Sequence, residues 1–244
     1  MTTKDINRRR GKRYRKAAEA VERSRSYDPQ EAIELLKEIG SAKFDETVEI
    51  HVCTNADPRH ADQLIRGMVM LPHGSGKQIR VMAFVQAESV AIAREAGADY
   101  IGDPDTMDRI EKEGWTEFDV SIATPDVMGQ IGRLGRVLGR KGLMPNPRTG
   151  TVVQPQDVGR VIREAKQGRM EFRMDRSANI HMAIGKLSFT ADELLLNLTS
   201  FIDAVTNARP EAVKGNLYKS IHLTSTMGPG IALKLTETQA LRLE

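Results

Sequence analysis

The chain has 244 residues, 40% hydrophobic and 28% charged, which suits one large domain or two modest ones with a buried core. No apolar run approaches the roughly 20 residues of a membrane span, and the start lacks the apolar stretch of a signal peptide, so a cytoplasmic protein with no membrane partner is expected. Cys53 is the only cysteine, which excludes an internal disulfide and a thiolate zinc cluster; it reads as a small, partly buried core residue rather than a nucleophile.

The net charge of +3 is small against 36 basic and 33 acidic residues, so where the charge lies matters more than its total. The N-terminal stretch is the clearest bias. Lys4, Arg8, Arg9, Arg10, Lys12, Arg13, Arg15 and Lys16 face Asp5 alone, and a block this basic reads as a nucleic-acid arm or a solvated tail.

After the arm, Asp28-Pro29-Gln30-Glu31 predicts a helix start, with Asp28 as cap, Pro29 at the first helical position and Glu31 completing a capping box. Ile33, Leu36 and Ile39 follow, and Gly40 stops the helix. Val48, Ile50 and Val52 alternate with Glu49 and His51, the period of a half-exposed strand. From Ile79 the pattern changes: Ile79, Val81, Ala83 and Val85 fill one strand face, and Met82 and Phe84 much of the other, as a covered parallel sheet requires. Short strands at 99–101 and 119–123 alternate with helices at 87–96 and 104–113, which argues for a Rossmann-like layer. A further helix begins at Pro155, carries Val158, Val161, Ile162 and Ala165, and closes at Gly168.

Beyond Gly168 the alternation turns antiparallel in style. Phe172 and Met174 form one row, and Ile180, Met182 and Ile184 another. Thr190 and Glu193 supply a second capping box, ahead of a helix face made by Leu194, Leu198, Phe201, Ile202 and Val205. Two strands close the chain, with Leu217, Ile221 and Leu223 in one and Ile231, Leu233 and Leu235 in the other. The expected architecture is mixed α+β and α/β: residues 1–74 with 169–244 form one discontinuous domain, interrupted by a Rossmann-like α/β domain over 75–168.

The segment Gly129–Val152 carries Arg133, Arg136, Arg140, Lys141 and Arg148 with no acidic residue. Dense positive charge on glycine-punctuated backbone suits an RNA or phosphate contact. Enzyme signatures fail in detail. Gly74-Ser75-Gly76-Lys77 lacks the first glycine of a P-loop, since position 71 is leucine, and Gln78 replaces its metal-binding hydroxyl. Lys77 is left as a phosphate contact or part of a glycine turn. No G-x-G-x-x-G falls in register, and His51, His60, His73, His181 and His222 never stand three or four apart, so neither a cofactor nor a metal is expected. Lys43-Phe44 places a cation and a ring at a strand entrance, where the ring can pack on a sugar or base or else belong to the core. Thr224-Ser225-Thr226-Met227-Gly228 offers hydroxyls and close-approach backbone for ribose, or a plain hairpin turn. The rival reading is a nucleotide-dependent enzyme in the central domain.

Several strings together resemble one family: Gly11-Lys12-Arg13-Tyr14, Ala42-Lys43-Phe44-Asp45-Glu46-Thr47-Val48-Glu49, Asp57-Pro58-Arg59, Leu71-Pro72-His73-Gly74, Thr124-Pro125-Asp126-Val127-Met128, Gly142-Leu143-Met144-Pro145-Asn146-Pro147, Ile184-Gly185-Lys186 and Thr226-Met227-Gly228-Pro229. They run in order across the chain and are similar to the L-one family of large-subunit ribosomal proteins, bacterial type. The resemblance implies a split β-α-β RNA-binding domain made of both termini, with a three-layer Rossmann-like insert and no catalysis. It implies binding to the rRNA stalk of the large subunit, help in releasing deacylated exit-site tRNA, repression of the protein's own operon mRNA, and a monomer outside the ribosome. The RNA-contacting positions it implies are Lys43, Phe44, Thr226, Met227 and Gly228; Thr224, His181 and Lys186 stand beside them as further candidate RNA contacts, with Arg13, Lys77, Arg133, Arg136, Arg140, Lys141 and Arg148 as candidate secondary basic contacts. Gly139-Arg140-Lys141 departs from the family's frequent Gly-Pro-Arg. The arm from Lys4 to Arg10 and the acidic-tipped tail are extensions.

Overall fold

The computed structural model describes residues 10–241; Lys4, Arg8 and Arg9 of the arm and the last three residues of the tail lie outside the described residues, as does the side chain of Arg148. The chain divides into two compact units, the described residues of Met1–Gly76 with Glu171–Glu244, and Lys77–Met170. Both mix helix and strand.

In the first unit the basic arm is helical from Lys12, as α1 (Lys12–Glu19). Ala17, Ala18 and Val21 are buried while the lysines and arginines stay mostly outside. Tyr14, Ala17, Ala18 and Val21 are spaced as one helix face, a signal that the charge density masks.

Helix α2 (Pro29–Ile39) begins after Asp28, but the expected capping box does not form, because Asp28 makes no side-chain cap. Asp28 instead accepts from Lys234 Nζ at 3.0 Å, and both carboxylate oxygens of Glu31 accept from Arg25 Nη2, at 2.8 and 2.9 Å. Charged partners outbid the backbone N–H groups for these carboxylates. Strand β1 (Thr47–Thr54) alternates buried and half-exposed residues as its sequence does. A short strand not expected from periodicity, β2 (Arg66–Met70), pairs with β6 (Arg169–Arg173).

Strand β7 (Asn179–Lys186) leads to α8 (Ala191–Asn207), whose capping box is formed: Thr190 N–H donates to Glu193 Oε2 at 2.8 Å, and Glu193 N–H to Thr190 Oγ1 at 3.2 Å. Strands β8 (Tyr218–Ser225) and β9 (Ile231–Ala232) complete a four-stranded sheet ordered β7-β1-β8-β9, with every pairing antiparallel. Leu235 does not extend the last strand as expected; it opens the helix α9 (Leu235–Ala240), where Thr238 N–H and Oγ1 both donate to Lys234 O. Ile33, Leu36, Val48, Ile50, Val52, Ile184, Leu198, Phe201, Ile202, Ile221 and Leu223 are all fully or nearly fully buried. Helices α2 and α8 contact each other and the strands, so one sheet face is covered.

The second unit is a parallel sheet of β3 (Val81–Phe84), β4 (Tyr100–Ile101) and β5 (Val120–Ala123), ordered β4-β3-β5. Val81, Ala83 and Val85 pack with residues of α3 (Ser89–Glu95) and α7 (Val158–Gln167). Met82 and Phe84 pack on the other side with Met107 and Ile110 of α4 (Pro104–Glu113) and with Ile131, Leu134 and Leu138. The two-faced apolar pattern of β3 thus reports a three-layer arrangement.

The glycine-punctuated segment is not a loop. It contains α5 (Met128–Ile131), a tight turn and α6 (Gly135–Leu138), with Val127, Ile131, Leu134 and Leu138 buried at helical spacing beneath it. Only at Gly142 and Gly150 is φ positive, +70° and +56°, so only there does the backbone favour glycine.

Candidate nucleic-acid interface

The candidate site lies in the first unit, where the loop entering β1 meets the turn leaving β8. Its organising residue is Glu46, 3% exposed. One carboxylate oxygen accepts from Ser225 Oγ at 2.7 Å and Met227 N–H at 2.9 Å, and the other accepts from Ala42 N–H at 3.1 Å. Burial pushes this carboxyl up; hydrogen bonds from Ser225, Met227, Ala42 and Ser41 outweigh it and leave Glu46 below the ordinary glutamate value. A charged carboxylate therefore ties both segments together.

Beside it the strands continue to pair. Thr226 N–H donates to Thr47 O and Thr47 N–H to Thr226 Oγ1, both at 3.0 Å, and Lys186 Nζ reaches Thr47 Oγ1 at 2.7 Å. Gly228 N–H closes the turn on Ser225 O at 3.1 Å. A Cβ at Gly228 would stand 2.5 Å from Ser225 Oγ, the hydroxyl that Glu46 holds. Thr224 Oγ1 donates to Ser225 O at 2.8 Å.

This rigid base presents two large apolar side chains to solvent, Phe44 at 55% exposure and Met227 at 46%. The core alternative for Phe44 is thereby excluded. Exposed apolar groups on a fixed backbone, flanked by the exposed Lys43 and by Lys186, can pack on a sugar or base while ammonium groups meet phosphate.

The start of α1 adds a second wall. Arg10 to Tyr14 face Thr226, Met227 and Gly228 across a cavity of about 510 Å³, and the Arg10 guanidinium lies 5.1 Å from the Tyr14 ring centroid. Arg13 is therefore brought to the patch. Arg10, Lys12 and Tyr14 join it from the basic arm, as do the anchoring residues Glu46 and Ser225, whose bond to each other sequence reasoning did not foresee. The Arg13 neighbours could have been found from the helical spacing of Tyr14, Ala17, Ala18 and Val21.

Other candidates stand elsewhere. His181 pairs in register with His51, four residues along β1 from Thr47 and so about 13 Å away at the usual strand rise. In the second unit Lys77 Nζ is 2.6 Å from Asp119, and Arg133 pairs with Asp108 at 3.3 Å and Glu111 at 3.4 Å, so both charges are largely answered internally. Lys141 bonds Thr116 Oγ1. Arg136 and Arg140 are exposed and form no ion pair among the described residues. Among the described residues no group of three or more His, Cys, Asp and Glu side chains is arranged to hold a metal, and no helix is long and apolar enough to cross a membrane.

Comparison with known proteins bears on this patch. The profile of the Ribosomal protein L1p/L10e family matches residues 35–229, which takes in Lys43, Phe44 and the turn to Gly228. The chain is 53% identical to Large ribosomal subunit protein uL1 of Chloroflexus aggregans over 96% of this chain and 98% of that protein. It is 54% identical to the protein of that name from Thermomicrobium roseum, over 93% and 95% of the two chains. The counterpart from Thermobifida fusca is 51% identical, over 95% and 97%.

Proposed function

The chain belongs to the Ribosomal protein L1p/L10e family, and on that premise we propose that it is a constituent of the large ribosomal subunit that binds rRNA through the Phe44 and Met227 surface. The family is one of ribosomal proteins rather than enzymes, which removes the nucleotide-dependent enzyme as a reading.

The observation that carries the assignment of the surface is the pairing of an exposed ring and an exposed thioether on one carboxylate-tied base. Solvent-facing Phe and Met side chains gain nothing for the fold where they stand. Against a shallow RNA groove they gain stacking and apolar contact, while Thr224 and Thr226 offer hydroxyls to ribose and Lys43, Lys186, Arg13 and Arg10 offer charge to phosphates.

The RNA is the stalk of the large-subunit rRNA. The finer roles follow from the same premise. Exit-site tRNA is the second RNA partner, met by Arg136 and Arg140 on the inserted unit, and the protein's own operon mRNA competes for the rRNA surface and is repressed by it. The protein works in the cytoplasm, as a monomer when outside the ribosome.

The test is binding of the purified chain to a transcribed stalk fragment and to an unrelated structured RNA at two salt concentrations. Tight, discriminating binding that persists at the higher salt is expected, and the substitutions Thr226→Ala and Met227→Ala each weaken it by about 1–3 kcal/mol. Equal binding to both RNAs that collapses with salt, or wild-type affinity in both folded variants, overturns the assignment. A reporter carrying the operon leader, repressed by the wild type and not by Met227→Ala, tests the regulatory role.

A further inference from the structure

Three imidazoles stand in a row across the open face of the four-stranded sheet, because His181 on β7, His51 on β1 and His222 on β8 are register partners. They stand apart from Phe44 and Met227, His51 lying four residues along β1 from Thr47. His51 Nδ1 and His181 Nδ1 are 2.8 Å apart, with ring centroids at 4.9 Å and planes inclined by 64°. On the far side of each ring stands a carboxylate: Glu49 is 3.8 Å from His51 Nε2, and Asp175 is 3.5 Å from His181 Nε2. Asp175 is fixed there independently, by Ser177 N–H at 2.7 Å and Asn179 N–H at 2.8 Å.

A carboxylate beside Nε2 favours the tautomer that keeps its proton on that nitrogen, and the carboxylate–histidine arrangement around bound metals uses this to aim the other lone pair at the ion. The 2.8 Å contact is a hydrogen bond when one Nδ1 carries the proton; with both protons on Nε2, both Nδ1 lone pairs are free for a cation seated to one side of the line between them.

We propose that His51 and His181 form a surface site for one divalent transition-metal ion, with the two Nδ1 atoms as ligands, Glu49 and Asp175 orienting the rings, and water completing the coordination. Spacing supports this. Two nitrogen ligands about 2.0–2.1 Å from an ion lie about 2.9 Å apart when they subtend a right angle, and about 3.3 Å apart in a tetrahedron. The observed 2.8 Å fits adjacent ligands of nickel or copper as it stands, whereas zinc requires the rings to part by about half an ångström. The two carboxylates make the surroundings suit a cation, and the half-exposed His181 leaves room for water.

The experiment is calorimetric titration of the untagged full chain with nickel, copper and zinc salts, alongside thermal unfolding. One equivalent is expected to bind, copper most tightly by the usual order of divalent affinities, and to raise the unfolding temperature. His181→Ala, at an exposed position, removes the saturable binding and the thermal shift; Asp175→Asn keeps both ligands and weakens binding about tenfold. Cys53→Ser and His73→Ala bind as the wild type does. Saturable binding that survives His181→Ala, that is lost in Cys53→Ser, or that the wild type never shows overturns the site.

Discussion

At the scale of the residue, Glu46 decides how the interface is held. Its native carboxyl titrates below the ordinary glutamate value, so the unfolded chain takes up the proton first as pH falls. The stability it contributes is fully present above the ordinary carboxylate value and is lost as pH drops through the depressed native one. Glu46→Gln is expected to lower stability at neutral pH by about 1–3 kcal/mol and to flatten the acid limb of a plot of urea midpoint against pH. Phe44 presents the opposite case. Because its side chain is 55% exposed, Phe44→Ala should leave the denaturation midpoint within about 0.5 kcal/mol of the wild type, yet cost about 1–3 kcal/mol in binding to the stalk fragment. Equal loss in both measurements would mean that the ring packs on protein.

At the scale of the element, the two capping boxes show what local sequence can and cannot decide. Thr190 and Glu193 form theirs because Glu193 Oε2 stays on the Thr190 N–H while His73, 3.8 Å away, meets only the other oxygen. Asp28 and Glu31 do not, because Lys234 arrives from 206 residues away and Arg25 folds back on Glu31. Thr190→Ala should therefore destabilise the fold by about 1 kcal/mol in denaturant unfolding without changing RNA affinity, whereas Asp28→Ala would lose an ion pair and no cap. The turn after β8 is more exacting. An alanine Cβ at Gly228 would press on Ser225 Oγ at 2.5 Å and loosen it from Glu46, so Gly228→Ala should weaken stalk binding, read by the same titration, although its side chain is small. Helix α1 was hidden in a basic run because its apolar face is built from alanines and a valine, small groups that composition overlooks.

At the scale of the whole molecule, the chain leaves one compact unit between Gly76 and Lys77 and returns between Met170 and Glu171. The candidate surface draws all its residues, from Arg10 to Gly228, from the discontinuous unit. Replacing 77–170 by a short glycine-serine linker is accordingly expected to leave a folded protein that binds the stalk fragment with near-wild-type affinity, while contact with exit-site tRNA, read by crosslinking, is lost. Loss of stalk binding in a folded deletion would transfer part of the recognition to the inserted unit.

Periodicity was enough to specify β1, the two-faced β3, α8 and the mixed α and β class, because burying one face or two imposes its spacing directly on neighbouring residues. Family-like strings were enough to single out Lys43, Phe44 and the turn from Thr226 to Gly228. The row of Phe172 and Met174 marked β6, but β2 and its pairing with β6 lay beyond sequence reading, since a partner about a hundred residues away leaves little local mark. Tertiary structure alone decided that Phe44 faces water, that Glu46 joins the loop before β1 to the turn after β8, and that histidines from three distant strands share one row. Each of these depends on which chain segments become neighbours, and a contact between remote residues is set by the packing of the whole unit rather than by the local sequence around either partner.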